Sequence, residues 1–292
     1  MLFLCATPIG NLGDISERVL DTLRSVDVIA AEDTRQTIKL LNHFDIKKQM
    51  IAYHEHNRYE MTPVLVDRML GGEDIALVTD AGTPAISDPG EDLVKACHEA
   101  GVTVTSLPGA TAFTTALTLS GMSARRFTFE GFLPQDKKEQ KAVLERLKDT
   151  TVTTVFYEAP HRLVKTLEVL KEYVDGSVQS TPGDENSDVG GCRKIAVCKE
   201  LTKKHEWVKI FDSVESAVTF FRDVEPKGEF VFVIEGCDQA ELTAKEQAAW
   251  SEMSIEDHMD LYMSQGMDKK EAMRCVAKDR GVSKRDIYQS LL

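Results

Sequence analysis

The first 122 residues repeat one pattern, in which a short apolar segment is followed by a polar or glycine-rich loop and then by a helical segment. The apolar segments lie at 2–6, 28–31, 50–53, 75–78 and 102–107. Short apolar segments that alternate with helices predict parallel strands joined by crossovers. We therefore predict an α/β fold whose N-terminal sheet is mostly parallel and carries helices on both faces.

The second half of the chain predicts a smaller α/β unit and a helical tail. Strand-like segments at 151–157, 195–198 and 229–236 are joined closely enough to suggest a mixed sheet. We interpret 127–134 as a crossover and 135–148 as an exposed amphipathic helix. The predicted domains are 1–123, 124–240 and a small helical extension at 241–292.

Two further segments stand out from this pattern. Residues 176–191 contain almost no large apolar side chain, which predicts a flexible surface loop that is an insertion. From residue 254 the chain predicts three short helices, and the last two, joined at 279–283, resemble a helix-turn-helix or form only a packing appendage.

Composition limits the classes of partner. The formal net charge of −13 argues against a nonspecific polyanion binder, so any nucleic-acid contact requires a local basic patch. No apolar segment approaches the length of about 20 residues that a membrane helix needs, and the first residues do not resemble a signal peptide, so we expect a cytoplasmic protein without membrane contact. The six cysteines lack metal-ligand spacing, so we expect free thiols and no bound metal.

The loop at 80–90, with the sequence DAGTPAISDPG, is the strongest indication of a site. It follows the buried strand-like segment 75–78, and open α/β sheets bind ligands at the carboxyl ends of their strands. A tight turn before the next helix would explain its glycines and prolines, but not its density of polar groups.

Other predicted strands also end in polar loops, at 7–15, 32–35, 54–58 and 158–162. The cluster at 32–35 is either a helix N-cap with a surface ion pair or part of a site. None of these loops matches a dinucleotide-binding or phosphate-gripping motif, and no covalent nucleophile is evident. A transferase that positions two substrates fits better, and methyl transfer from S-adenosylmethionine suits a site built from small residues.

At this point the loops show a resemblance to a known family. The segments ATPIGNLGDI (6–15), AEDTR (31–35), DAGTPAISDPG (80–90), PGATAF (108–113), FYEAPHRL (156–163), KELTKKHE (199–206) and GEFVFVIEG (228–236) resemble the tetrapyrrole-methylase superfamily, in particular its ribosomal branch. The resemblance implies a two-domain homodimer that binds S-adenosylmethionine between its domains. It also implies methylation of the ribose 2'-oxygen of a decoding-centre cytidine in 16S rRNA of the small ribosomal subunit.

The resemblance also implies a set of donor-binding residues: Pro8, Ala81, Gly82, Thr83, Ile86, Thr111, Ala112, Glu158 and Leu201. Thr83 stands where tetrapyrrole methylases carry Asp, which favours the ribosomal branch. Lys199 stands where that branch commonly has Arg, a change that keeps the charge but loses the planar fork.

Candidate RNA-binding residues lie at strand ends or in loops near the inferred cleft: Arg35, Arg58, Arg126, His161, Arg162, Lys203, Lys204 and His205. Asp33 and Glu158 are the first candidates for the catalytic base, ahead of Glu32 and His161, because cations beside them could orient them. The alternatives are a tetrapyrrole or diphthamide-type methylase, or a ribosome-assembly factor that binds RNA without catalysis.

Overall fold

The computed structural model describes residues 1–175 and 192–291 and contains two five-stranded sheets. The predicted loop at 176–191 lies outside the described residues. The predicted α/β architecture, with one parallel sheet, one mixed sheet and a helical C-terminal end, is confirmed.

The N-terminal sheet is wholly parallel, with strand order β3-β2-β4-β1-β5. Its elements are β1 (Leu2–Cys5), α1 (Glu17–Ser25), β2 (Val28–Ala31), α2 (Thr34–His43), β3 (Gln49–Ala52), α3 (Arg58–Leu70), β4 (Ile75–Val78), α4 (Gly90–Glu99) and β5 (Val104–Leu107). Every residue of β2 and β4 is buried, as expected for strands covered on both faces. One face packs on α1 and α2 and the other on α3 and α4.

The second sheet has strand order β6-β7-β10-β8-β9, with β6 parallel to β7 and the remaining pairs antiparallel. Its elements, with the helix that precedes them, are α5 (Ala112–Ser120), β6 (Phe127–Phe132), α6 (Lys137–Lys148), β7 (Thr153–Glu158), α7 (Leu163–Val174), β8 (Ile195–Lys199), β9 (Trp207–Phe211), α8 (Val214–Arg222) and β10 (Phe230–Ile234). Helices α6, α7 and α8 cover one face, and α5 packs on the other through Ala116 and Leu117.

Helix α5 therefore follows the N-terminal sheet in sequence but packs on the second one. The interpretation of 127–134 as a crossover was wrong, because residues 127–132 form strand β6 at the edge of the second sheet. A bulge at Gly131, whose φ is +66°, interrupts its register with β7. The domain boundaries proposed from the sequence stay predictions.

The tail consists of α9 (Gln239–Ser251), α10 (Ile255–Ser264), α11 (Lys269–Asp279) and α12 (Lys284–Ser290). The last three occur where the sequence predicts them, and α9 is additional. No helix in the described part of the chain is both long and apolar enough to cross a membrane. Cys5, Cys97 and Cys198 are buried free thiols, whereas Cys192 is exposed.

Candidate functional site

A cavity of about 350 Å³ lies where loops from the two sheets meet. Its wall includes the segment after β4, the start of α5, the end of β7 and the start of β10. The lining residues are Ile9, Glu32, Thr79, Asp80, Ala81, Gly82, Thr83, Ile86, Ser87, Asp88, Thr111, Ala112, Phe132, Tyr157, Glu158, Ala159, Pro160, Leu201, Glu229, Phe230 and Val231. Its volume is within the range of small-molecule sites in proteins.

The loop at 80–90 is held in place by its own hydrogen bonds and by its neighbours. Gly82 exchanges two backbone hydrogen bonds with Thr7, at 2.9 and 3.1 Å, so its own N–H is already satisfied. The Thr83 hydroxyl lies 2.7 Å from the Thr111 hydroxyl, which ties the loop to the start of α5. Ala85 and Ser87 have φ values of +67° and +62°, a left-handed conformation that costs energy for residues other than glycine. Ser87 lines the cavity and Ala85 precedes its lining residue Ile86, and backbone strain at such a place is typical of a functional loop.

The charged side chains that line the cavity are all carboxylates: Glu32, Asp80, Asp88, Glu158 and Glu229. Burial raises the pKa of the Asp80 carboxyl, and the neighbouring Glu32 raises it further. Burial likewise raises the pKa of Asp88, although the backbone N–H groups of Gly90 and Ala85 donate to its Oδ1 at 2.7 and 3.0 Å and lower it in part. The cavity therefore favours a cationic ligand over an anionic one.

Glu158 is the most deeply buried of these carboxylates, with 1% of its side chain exposed. Its Oε1 accepts a hydrogen bond from the Ala159 N–H at 2.7 Å and lies 3.7 Å from Nε of Arg162. Its Oε2 is buried and has no hydrogen-bond partner among the described residues. A buried carboxylate oxygen without a hydrogen-bond partner is costly, so it points to a ligand that donates a hydrogen bond to it.

The structure brings most of the predicted donor-binding residues together. Ala81, Gly82, Thr83, Ile86, Thr111, Ala112, Glu158 and Leu201 all line the cavity, whereas Pro8 does not and its neighbour Ile9 does. Their roles in donor binding stay predictions.

The cluster at 32–35 contains one residue for each predicted role, since Glu32 is part of the site and Asp33 is a helix N-cap with a surface ion pair. Glu32 lines the cavity and accepts from the Thr79 hydroxyl at 2.5 Å. Asp33 lies outside the cavity wall, caps α2 by accepting from the Arg35 N–H at 2.8 Å, and pairs with the Arg35 guanidinium at 2.8 Å. These hydrogen bonds lower the pKa of Asp33 to about 2, which makes it a weak base.

The predicted RNA-binding residues do not form one free basic patch. Arg58 pairs with Glu55 and Asp92 at 3.0 and 2.9 Å. Lys203 pairs with Glu200 and Glu229 at 3.1 and 3.0 Å, and Arg162 donates to the Leu133 carbonyl at 2.7 Å. Arg35 is exposed but forms an ion pair with Asp33. The other four predicted residues are also exposed: Arg126, His161, Lys204 and His205.

Sequence reasoning missed several lining residues. Phe132 was not predicted because its segment was interpreted as a crossover. Glu229, Phe230 and Val231 lie in the motif at 228–236, but no role in the site was predicted for them. Asp88 lies in the loop at 80–90 and accepts a hydrogen bond from the N–H of Ala85, three residues before it. An Asp at this spacing in a loop was the available signal that its side chain folds back on the loop. The described residues contain no group of three or more side chains that could hold a metal ion.

Comparison with known proteins places the chain in a family. The model of the tetrapyrrole (corrin/porphyrin) methylases matches residues 1–212. The chain is 45% identical over 287 residues to the ribosomal RNA small subunit methyltransferase I of Halalkalibacterium halodurans, covering 98% of this chain and 93% of that protein. It is 42% identical over 291 residues to the protein of the same name from Synechocystis, covering 99% and 96%.

A solved structure shows the same fold. The uroporphyrin-III C-methyl transferase of Thermus thermophilus, complexed with S-adenyl homocysteine, superposes with a TM-score of 0.54 over 80% of this chain and 96% of that one, at 14% identity. The family match and the two relatives confirm the resemblance that the loop motifs carry. The chain belongs to the tetrapyrrole (corrin/porphyrin) methylase family of methyltransferases.

Proposed function

We propose that this chain transfers a methyl group from S-adenosylmethionine to the ribose 2'-oxygen of a decoding-centre cytidine in 16S rRNA of the small ribosomal subunit. Relatives at 45% and 42% identity are named ribosomal RNA small subunit methyltransferase I, which supports small-subunit rRNA as the substrate. The structural observation that carries the proposal is the acidic cavity with an unpartnered buried carboxylate oxygen, where loops from the two sheets meet.

The residues of the cavity fit this methyl donor. S-Adenosylmethionine carries a sulfonium and an ammonium group, and the charged side chains in the wall are carboxylates. The buried Oε2 of Glu158 can accept a hydrogen bond from the ammonium group, while small residues such as Ala81 and Gly82 leave room for the adenosine. A phosphate-rich donor would be repelled by the same wall.

When bound, the donor supplies an electrophilic methyl group on a positively charged sulfur. The protein then has to hold that methyl carbon in line with the acceptor oxygen, because orientation supplies most of the rate of such a transfer. In such a transfer the O–CH₃ bond would form as the S–CH₃ bond breaks with its electron pair left on sulfur, and the 2'-hydroxyl proton would pass to a carboxylate or to water.

We propose that Glu158 binds the donor and does not take the proton, because its Oε1 accepts from the Ala159 N–H and its Oε2 is the oxygen assigned to the ammonium group. Glu158 lines the cavity, whereas Asp33 lies outside it and has a pKa of about 2. A carboxylate is a weak base toward an alcohol, so the proton leaves late, when bond formation has acidified the hydroxyl.

The decisive experiment uses the purified protein, labelled S-adenosylmethionine and small subunits from a strain that lacks this modification. We expect label in 16S rRNA, which nuclease digestion and chromatography should recover as 2'-O-methylcytidine. Small subunits from a modified strain are the matched control and should take up no label. Unlabelled rRNA would refute the proposal, and label in a precorrin or in an elongation factor would support one of the alternative methylases. A homodimer in the cytoplasm is part of the proposal, and light scattering of the purified protein tests the dimer.

A further inference from the structure

The C-terminal helices form a bundle with a core of its own. Helices α10, α11 and α12 bury Met259, Met273, Val276 and Ile287 against one another. On α11 the buried positions are 272, 273, 276 and 277, which fixes the opposite face toward solvent. None of the cavity-lining residues comes from this bundle, so the cavity does not account for its surface.

The charge of the bundle differs from that of the rest of the chain. Residues 255–292 carry seven acidic and seven basic side chains, so the whole net charge of −13 resides in the first 254 residues. Several acidic groups serve the bundle's own structure. Asp268 accepts from the Glu271 N–H at 2.8 Å and Asp286 from the Ser283 N–H at 3.0 Å. Asp257 accepts from the Ser254 hydroxyl at 2.7 Å, and Asp279 accepts from the Tyr262 hydroxyl.

The basic groups are used differently. Arg280 is the structural one, since it donates to His258 and to the carbonyls of Met253 and Ser254. The other six are exposed, and the described part of the chain offers none of them an ion pair or a side-chain hydrogen bond: Lys269, Lys270, Arg274, Lys278, Lys284 and Arg285. Among the described residues of the bundle, Glu256, Asp260 and Glu271 are the acidic groups without such contacts, so the cations without a partner outnumber the carboxylates without one by six to three.

Three of these cations form a line along α11. Lys270, Arg274 and Lys278 are spaced four residues apart, which places them on one helix face at intervals of about 6 Å. Like charges at this spacing destabilise a helix by a few tenths of a kcal/mol per pair. Glu271 flanks the line at the first turn, and Lys284 and Arg285 follow within seven residues of Lys278, across the turn at Gly281. We call Lys270, Arg274 and Lys278 the basic stripe.

We propose that the basic stripe binds the phosphate backbone of the RNA substrate and so forms a second contact surface, separate from the cavity. That the polyanion is RNA rests on the proposed function. A row of exposed cations without carboxylate partners matches the regularly spaced charges of a nucleic-acid backbone. Among the cations that the sequence suggested for RNA, by contrast, Arg58 and Lys203 are already neutralised by carboxylates.

The test removes the three charges without removing the helix. The variant Lys270→Gln/Arg274→Gln/Lys278→Gln changes only exposed positions. The control Lys137→Gln/Lys138→Gln/Lys141→Gln on α6 makes the same change in net charge, also at exposed helix positions.

Binding to fluorescent small subunits is measured between 50 and 200 mM salt. We expect the stripe variant to bind about 10- to 100-fold more weakly than the wild type. The slope of log affinity against log salt concentration should also be shallower by about 3, which is about one for each lost phosphate contact. The control should bind within about twofold of the wild type, given the modest effect of exposed charges.

Donor binding and methyl transfer separate this proposal from the proposed function. Calorimetry should give the stripe variant the same affinity for S-adenosylmethionine as the wild type, and at limiting subunit concentration its labelling of rRNA should fall with its affinity. A stripe variant with unchanged affinity and salt slope, while the wild type still labels rRNA, would overturn the stripe alone. An equal loss in the α6 control would also overturn it, because the effect would then be one of net charge. A wild type that neither binds nor labels small subunits would overturn both proposals.

Discussion

The exchange Glu158→Gln tests whether the cavity binds a cation through its buried carboxylate. The substitution keeps the shape of a side chain that is 1% exposed and removes its charge. Oε1 can still accept from the Ala159 N–H, so the new amide NH₂ takes the place of Oε2, the unpartnered oxygen. A hydrogen-bond donor then faces the position where we expect the ammonium group.

The magnitude follows from the type of hydrogen bond that is lost. A hydrogen bond to a charged group contributes about 1.5–3 kcal/mol, so the donor should bind about 10- to 150-fold more weakly. The free energy of unfolding of the unliganded protein should stay within about 1 kcal/mol of the wild type, because a neutral amide costs less to bury than a carboxylate. Lower affinity without lower stability is the combination that distinguishes a binding residue from a structural one.

Calorimetric titration and urea denaturation measure the two quantities. Glu229→Gln is the matched control, since Glu229 also lines the cavity but is 74% exposed, and its loss should change affinity by about threefold or less. Titration with S-adenosylhomocysteine, which lacks the sulfonium charge, locates the contact: an equal loss for both ligands indicates the ammonium group. If Glu158→Gln binds the donor as tightly as the wild type, the reasoning from the unpartnered oxygen is wrong.

Three further predictions concern stability. Gly90→Ala should lower the free energy of unfolding by about 1–3 kcal/mol in urea denaturation, because the new Cβ would lie 2.7 Å from Asp88 Oδ1 and 3.0 Å from the Ala85 nitrogen. Gly82→Ala should cost about 1–2 kcal/mol by the same measurement, through its φ of +92° alone, since the nearest atom, Ile9 Cγ2, lies at an ordinary 3.4 Å; a larger loss than for Gly90→Ala would contradict the contact analysis. His258 is fully buried between Trp250 and Tyr262, and burial together with Arg280 lowers its pKa below 6.5, although Asp279 opposes them. The neutral form is thus favoured on folding, so the thermal midpoint should fall as the pH drops below about 6.5, and His258→Gln should remove that part of the pH dependence.

The sequence predicts most of the fold and the position of the cavity for one physical reason. Parallel strands end at a common edge, so polar loops after successive strands converge without any need to know their contacts. The loop at 80–90 was located in this way, whereas the loop at 158–162 belongs to the second sheet and was linked to the first only by the family resemblance. Strand β6 was not predicted because the bulge at Gly131 interrupts its alternation of side chains between the two faces of the sheet. A parallel edge strand also lacks the hairpin turn that marks many strands in a sequence.

The sequence could not show which charges are free. Arg58 is neutralised by Asp92, 34 residues away, and Lys203 by Glu229, 26 residues away. Only the folded chain brings these partners together, so a list of cations near a predicted cleft overestimates the basic surface. Asp33 differs from these two cations, because its partner Arg35 is only two residues away and the sequence already allowed a helix N-cap with a surface ion pair. Only the lowering of the Asp33 pKa to about 2 required the structure.

The distribution of charge constrains how a polyanion can reach this cavity. A wall of carboxylates attracts the cationic donor but repels an RNA backbone, and the net charge of −13 extends that repulsion to long range at low salt. At physiological ionic strength the field is screened over about 8 Å, so cations farther than this from the cavity can bind phosphate almost independently of it. Under the proposed function, attraction for RNA therefore comes from surfaces outside the cavity, and Arg126, Lys204 and the basic stripe are exposed cations that do not line it. The acidic wall then acts on the substrate only over the last few ångströms, where a bound donor partly offsets its charge.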